Sequence, residues 1–349
     1  MAEDCFFVTG GCGFIGGALI NKLLKDTNAK VVNIDKLSYA SNYLINDLHK
    51  DSNYHFFHGD INNRELISKI FNEFKPKYVL HLAAESHVDR SIDGPKAFID
   101  SNILGTFNLL DLSLQYWNSL ENKIKKNFRF LMVSTDEVYG SAERSIKFNE
   151  ESPYNPSSPY SASKASSDFL TTAWYKTYKL PVIITNTSNN YGPMQFPEKL
   201  IPLTILKILN KDIIPVFGKG DQIRDWIYVD DHVEGLLFAL KNGSVGEKYN
   251  IGSNCEKTNL EVVKKICEIF NKNYGGEDSN NLIEFVEDRP GHDFRYAIDN
   301  GKMLDMGWSP HFSWDKGIKL TIDWYLNNKE WINTIKNNNY KGERLGLRN

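Results

Sequence analysis

The chain is short of the features that would make it a disulfide scaffold, a membrane span or a polyion binder. It has four cysteines in 349 residues, and Cys5, Cys12, Cys255 and Cys267 fall at no zinc-ligand spacing. Neither a disulfide framework nor a zinc ribbon is therefore expected, and a reduced, cytoplasmic setting is. No apolar run approaches the ~18 residues of a membrane span. Charge of one sign is missing too: 41 Lys and Arg against 44 Asp and Glu leave a net charge of −3, with the basic residues scattered. That argues against nucleic acid and membrane as partners. The eight histidines make no metal-like cluster, and His81, His87 and His232 read as structural. The first ten residues run straight into a strand pattern and a glycine turn, so no signal peptide is expected. No internal repeat or low-complexity linker is visible.

What is present is an alternation. Short apolar runs at 5–8, 31–34, 55–57, 78–83, 128–134 and 182–185 read as strands, and amphipathic stretches at 15–24, 65–74, 97–116 and 160–178 as helices. Strands alternating with helices predict an α/β fold: a Rossmann-type, doubly wound parallel sheet whose ligands sit at the carboxyl ends of the strands. After residue 188 the rhythm changes. Asn190-Tyr191-Gly192-Pro193 reads as a turn, Pro197, Pro202 and Pro215 punctuate the next stretch, and helices are expected at 200–209 and 259–270. The expected organisation is a cofactor domain over 1–188, with segments near 222–250 returning to it. A smaller α/β substrate domain occupies 189–330, and a polar tail 337–349.

Thr9-Gly10-Gly11-Cys12-Gly13-Phe14-Ile15-Gly16 follows a strand and opens a helix. Glycines there let backbone N–H groups approach a pyrophosphate, and the helix N-terminus favours its negative charge. The spacing is weak evidence by itself, but Asp35 ends the next strand, where a carboxylate bonds the ribose hydroxyls of NAD and repels the 2′-phosphate of NADP. Asp60, in Gly59-Asp60-Ile61, suits either an adenine contact or an ordinary turn.

Tyr160 and Lys164 stand one helical turn apart on a helix that Ser158 would cap and Pro159 would open. A free Tyr, with a pKa of ~10, is too weak an acid to serve as a base at neutral pH; a neighbouring ammonium lowers that barrier. By spacing alone this pair is a common surface pattern. With Thr135 upstream and the glycine turn at the N-terminus it becomes equipment for oxidising an alcohol. Asp136 and Glu137 point to opposite sides of an extended chain unless the backbone turns, and differing surroundings can separate them into an acid and a base. In Gly220-Asp221-Gln222-Ile223-Arg224-Asp225, Arg224 suits a phosphate or is satisfied by Asp225 or Asp231. Asp288-Arg289-Pro290-Gly291-His292 offers a second local arginine.

Thr-Gly-x-x-Gly-x-x-Gly with Tyr-x-x-x-Lys resembles the extended short-chain dehydrogenase/reductases. Within them the chain is most similar to the dTDP-glucose 4,6-dehydratase family, through residues 82–91, 134–140, 156–168, 188–192, 196–202, 218–228 and 288–299. The likeness runs from about residue 5 to 330. Sugar-nucleotide 4-epimerases of this superfamily typically lack the acid pair, and the GDP-mannose dehydratases look like Thr-Ser-Glu at that place; this chain has both acids. Its stretch between Gly140 and Pro156 is shorter than in many bacterial dehydratases.

The resemblance implies a lyase with tightly bound NAD, regenerated each turnover. Tyr160, with Thr135 and Lys164, would take the proton of the sugar 4-hydroxyl. Glu137 would take the proton on carbon 5, and protonated Asp136 would release the 6-hydroxyl as water. NAD would be held by Gly10, Gly13, Phe14, Ile15, Gly16, Asp35, Lys36, Leu37 and Ser38 at one end. Asp60, Ile61, Leu82, Ala83, Ala84, Glu85, Ser86, Ser101, Tyr160, Lys164 and Asn190 would complete the site. The nucleotide sugar would meet Ser86, Thr135, Asn189, Glu198, Lys199, Leu200, Pro215, Val216, Phe217, Arg224, Asn250, Arg289 and His292. A homodimer through the helices around 97–116 and 160–178 is implied as well. UDP-glucose is the rival substrate, since thymine and uracil differ by one methyl; 4-epimerisation and a non-catalytic NAD-binding role are the further alternatives.

Overall fold

The six apolar runs of the first half all become parallel strands. In the computed structural model, which describes residues 4–41, 50–143, 145–275, 277–288 and 291–337, these are β1 (Cys5–Thr9), β2 (Lys30–Asp35), β3 (Tyr54–His58), β4 (Tyr78–His81), β5 (Arg129–Thr135) and β6 (Val182–Thr187). A seventh strand, β10 (Lys248–Ile251), returns from later in the chain to pair with β6. The sheet order is β3-β2-β1-β4-β5-β6-β10.

Successive residues of each strand enter opposite cores, as pleating requires. Phe6, Val8 and Val31 pack on one face with Leu19, Ile20, Val233 and Leu236. Phe7, Val32 and Ile34 pack on the other with Ile67, Phe71, Leu109 and Tyr116. Helices Phe14–Asp26 and Val229–Asn242 therefore cover the first face, and Arg64–Phe74 and Gly105–Ser119 the second. Strand order reverses between β1 and β4, which opens a crevice at their carboxyl ends.

The rest of the chain builds two small sheets. β7 (Asn189–Tyr191), β9 (Ile223–Tyr228) and β11 (Glu256–Thr258) form one, and β8 (Ile214–Phe217) with β12 (Ile283–Val286) the other. Helices Leu200–Asn210, Asn259–Tyr274 and Trp314–Asn327 enclose a third core around Tyr191, Ile205, Ile266 and Tyr325.

Three local expectations change. The stretch 97–116 is not one regular helix: Pro95–Phe98 leads into a wide π-helical turn, Ile99–Leu104, before Gly105–Ser119. The cause is tertiary. Asn102 Nδ2 donates to Glu85 O (3.0 Å) and Ser163 Oγ (2.8 Å), while a Cβ at Gly105 would meet Ile61 Cδ1 at 2.4 Å. Asn190-Tyr191, read as a turn, belongs to β7, because β9 offers a parallel partner. The run 78–83 ends as strand at His81, after which the chain turns into the crevice.

Candidate active site

The crevice is built first from glycine. Gly10 has φ +73°, and a Cβ there would stand 2.6 Å from the Ala83 Cα; a Cβ at Gly16 would meet the Gly10 carbonyl oxygen at 2.3 Å. Only glycine lets β1, the loop after β4 and the Phe14–Asp26 helix approach this closely. That helix starts at Gly13 with no capping side chain, so its first-turn N–H groups and the positive end of its dipole are left for an anion. Asp35 closes the floor. Its Oδ2 accepts from Cys12 N (2.9 Å) and its Oδ1 from Leu37 N (2.8 Å). Burial pushes its pKa up, and those two N–H groups oppose the rise.

Gly10, Gly13, Phe14, Ile15, Gly16, Asp35, Lys36, Ser38, Asp60, Ile61, Leu82, Ala83, Ala84, Ser86, Ser101 and Asn190 line one continuous cleft. Two neighbours expected with them stand outside it. Leu37 is exposed, and Glu85 is tied to Lys36 by an ion pair of 2.7 Å.

The cleft continues past the end of β5 to Thr135, Asp136, Glu137, Tyr160 and Lys164. The strand stops because residues Asp136–Tyr139 form a 3₁₀ turn, capped by Thr135 Oγ1 accepting from Glu137 N (3.3 Å). This turn brings both carboxylates into the cleft, where an extended chain would have separated them. Gly140 (φ +82°) completes it, since a Cβ there would meet Asn155 O at 2.3 Å.

Asp136 is buried, and its pKa is raised well above the carboxylate range by desolvation and then by the charges of Glu137 and Asp225, with Arg224 opposing. Burial therefore favours its neutral form. Tyr160 sits on the Pro159–Tyr178 helix, started as expected by a capping box at Ser158 and by Pro159. Burial raises its pKa, Glu137 adds to the rise, and hydrogen bonding from Thr135 opposes it. Lys164 does not hydrogen-bond Tyr160: its Nζ donates to the Val133 carbonyl at 2.8 Å. Desolvation brings the Lys164 ammonium down to about 8, with Asp168 opposing.

The substrate residues divide. Ser86, Thr135, Asn189, Glu198 and Lys199 line the same cleft; Leu200, Pro215, Val216, Phe217, Arg224, Asn250 and His292 do not. Arg224 braces the fold. Its Nη1 donates to Ile223 O (2.7 Å), its Nη2 to Asp293 O (3.0 Å), and its guanidinium lies 4.1 Å from the Tyr296 ring centre. Asn250 is fully buried: Tyr139 Oη donates to its Oδ1, and its Nδ2 donates to Phe148 O and Asp299 O. Val216 lies in an apolar cluster with Val263 and Cys267. His292 Nδ1 is 2.6 Å from Asp288 Oδ1. Arg289 lies outside the described residues.

Known proteins resemble this chain in sequence and in fold. A family model described as GDP-mannose 4,6 dehydratase matches residues 7–321. A dTDP-glucose 4,6-dehydratase of Salmonella typhimurium is 50% identical over 346 residues, which cover 96% of this chain and 96% of that protein. The chain belongs to the dTDP-glucose 4,6-dehydratase family. The crystal structure of a dTDP-glucose 4,6-dehydratase from Streptomyces venezuelae with NAD bound superposes with a TM-score of 0.86. It is 38% identical, and 95% of this chain and 99% of that one are covered. A UDP-glucose 4-epimerase from Thermus thermophilus, in complex with NAD, shares the fold at a TM-score of 0.81 and 27% identity, over 93% and 99% of the two chains.

For a dTDP-glucose 4,6-dehydratase family member the cleft also holds residues to which the sequence reading gave no site role. Ser134, Thr187, Ser188, Gln195 and Phe196 line it. Behind Lys164, Asp168 Oδ2 accepts from Ser134 Oγ (2.8 Å), Tyr154 Oη (2.9 Å) and Asn186 Nδ2 (3.2 Å). Its signal was in the sequence, one helical turn beyond Lys164 as Lys164 is beyond Tyr160. The structural histidines are as expected: His81 bridges Thr9 and Thr106 and is kept neutral by burial, its pKa down to about 3. Among the described residues no group of three His, Cys, Asp or Glu could hold a metal, and no helix is long and apolar enough to cross a membrane.

Proposed function

We propose that this protein dehydrates dTDP-glucose to the 4-keto-6-deoxy sugar nucleotide, using a resident NAD. The observation that carries the reading is the 3₁₀ turn after β5, which sets a neutral Asp136 and Glu137 in the same cleft as Tyr160. A sugar oxidoreductase or epimerase has no use for two further acids beside its tyrosine. The cleft fits NAD: the glycine crossing of β1 and the loop after β4 leaves room for a backbone-bound pyrophosphate, and Asp35 stands where a ribose would meet it. Gly10, Gly13, Gly16, Asp35, Asp60 and Ser101 would hold the nucleotide, and Tyr160, Lys164 and Asn190 its reactive end.

NAD, when bound, would supply a hydride acceptor for carbon 4 and a donor for carbon 6, so that no outside oxidant would be consumed. The chain does the proton work. Tyr160 receives the 4-hydroxyl proton, with Thr135 opposing the burial that otherwise keeps the phenol protonated. A ketone at carbon 4 acidifies carbon 5, and Glu137 takes that proton. Asp136 gives its proton to the departing 6-hydroxyl, so that water leaves as the carbon 5–carbon 6 double bond forms. When hydrogen returns at carbon 6, Glu137 gives its proton back to carbon 5, and the proton left on Tyr160 restores Asp136 by way of solvent. Ser86, Asn189, Glu198 and Lys199 form the sugar-nucleotide wall.

The preference for thymine over uracil rests on the relatives' activity. One methyl gives about 10–200-fold discrimination in an apolar pocket. Mass spectrometry of separate incubations with dTDP-glucose and UDP-glucose tests the reading: loss of one water is expected, faster from dTDP-glucose. Loss of water from neither would sink it.

The same reading includes a division into a cofactor unit over 1–188, joined by segments of 222–250, and a substrate unit over 189–330. It also includes a homodimer, supported by exposed Ile99, Leu104, Phe107 and Phe169 on the two helical segments expected to pair. Light scattering of Phe169→Glu should show monomer; an unchanged mass would remove that face from the interface. A cytoplasmic setting agrees with four free cysteines.

A further inference from the structure

One charged cluster near the mouth of the cleft is not used by the chemistry above. Glu198 is the first residue after Pro197 to face the cleft, yet its side chain is only 4% exposed and both oxygens are engaged. Tyr39 Oη donates to Oε1 at 2.9 Å, and Arg90 Nε donates to Oε2 at 3.1 Å. His87 Nε2 stands 3.7 Å from the same Oε2. The Arg90 guanidinium lies 3.7 Å from the centre of the Tyr39 ring, whose edge meets Phe196 at 5.3 Å between centroids. Next to Glu198, Lys199 Nζ donates to the Ser86 carbonyl at 3.1 Å.

The partners come from three separate segments of the chain. Tyr39 belongs to the loop that carries Asp35, Lys36 and Ser38 along the cofactor end. Arg90 lies in the short helix Val88–Asp93, which follows Ser86 after β4. Glu198 and Lys199 belong to the wall ahead of the Leu200–Asn210 helix. Burial pushes the Glu198 carboxyl up, while Lys199, Tyr39 and Arg90 hold it down. Burying such a group is weak evidence for net stability but fixes relative positions firmly, because removing one partner strands the others.

We propose that Tyr39 and Arg90 are positioning residues that lock the sugar-nucleotide wall to the cofactor's ribose loop, so that each ligand tightens the hold on the other. Resting on the function proposed above, the inference adds a link between two sites rather than another contact within one. A cofactor that orders residues 35–39 presents the Tyr39 hydroxyl to Glu198, and Glu198 then holds the wall in its binding position. Linkage is reciprocal. Nucleotide on the wall must therefore tighten the binding of NAD, and a lock that has to open before the cofactor leaves puts that gain in its release. That suits a reaction in which the cofactor has to stay in place between the oxidation at carbon 4 and the return at carbon 6.

The test uses the holoenzyme, following the release of NAD with and without thymidine diphosphate. In the unaltered protein the nucleotide should slow release by about 5-fold or more, the lower end of ordinary coupling. In Tyr39→Phe, which removes one oxygen, and independently in Arg90→Lys, which removes the ring stack, the slowing should be largely lost. Nucleotide that slows release equally in all three proteins, or in none, would overturn the inference and leave the functional reading standing. A protein that takes up neither NAD nor thymidine diphosphate would overturn both.

Discussion

Two polar regions of this molecule are equally buried and do opposite things with their hydrogen bonds. At the end of β5 and along the Pro159–Tyr178 helix, Asp136 Oδ2 and Asp168 Oδ1 have no partner among the described residues. Close by, at Arg224 of β9 and along residues 293–299, charged and amide groups are consumed by the fold itself. Arg295 donates to both oxygens of Glu256 and to the carbonyls of Glu143 and Ile146. Arg224 and Asn250 are used in the same way. Unmet hydrogen-bonding capacity in a buried place calls for an explanation. Here the unmet carboxylate oxygens lie at the chemistry, although ring nitrogens of Trp226, His232 and Trp308 are unmet elsewhere, and the satisfied charged groups brace the fold beside the acid turn.

The contrast can be broken at either end. The largest effect is expected from Glu137→Gln, which should cut water elimination by ~10²–10⁴-fold, the usual worth of a general base. Brief reduction of bound NAD, seen by its absorbance, should survive because that step belongs to Tyr160. Normal elimination by this variant would move the base elsewhere. Next in size is Arg224→Met, which strands carbonyls that accept charged hydrogen bonds worth ~1.5–3 kcal/mol each. It should lower the melting temperature. A variant that melts normally but no longer binds nucleotide would return Arg224 to the ligand side and undo the comparison.

The smallest effect has a sign set by linkage. The Asp136 carboxyl is raised in the folded state. Above its unfolded pKa of about 4, the folded protein therefore holds a proton that the unfolded chain has released. Stability attributable to this group is then lost as pH rises. Asp136→Asn supplies a neutral amide in place of the protonated acid. It should therefore melt a few degrees higher at about pH 7, with little gain at about pH 4, while water elimination suffers. Equal melting curves at both pH values would mean that Asp136 is not held neutral.

Legibility followed the same line. Six strand runs, the Ser158 cap, the Pro159 start, the glycine turn and the acid pair are each encoded within a few consecutive residues, and each is found where its local pattern places it. The hidden features depend on distant partners. The π-helical turn at Ile99–Leu104 answers to bonds from Asn102 to Glu85 and Ser163. Arg224, read in sequence as a phosphate ligand or as a partner of Asp225 or Asp231, donates instead to the carbonyls of Ile223, Asp293 and Phe294. Asn250, expected at the substrate, became a core post for Tyr139 and Phe148. Lys164 was expected to support Tyr160 from the side, and the structure shows it turned to Val133.

The return of β10 to the main sheet has a consequence for how such a chain can be rearranged. Because β6 takes its outer neighbour from residues 248–251, the large sheet is assembled from two separated stretches of the chain. A single crossover between relatives anywhere from 189 to 247 would give β6 from one parent and β10 from the other, along with mismatched helix Val229–Asn242 packing. Exchange of the intervening region between family members would therefore succeed only as an insertion with two junctions, and a truncation in that interval would leave β6 as a bare edge prone to pairing with other chains.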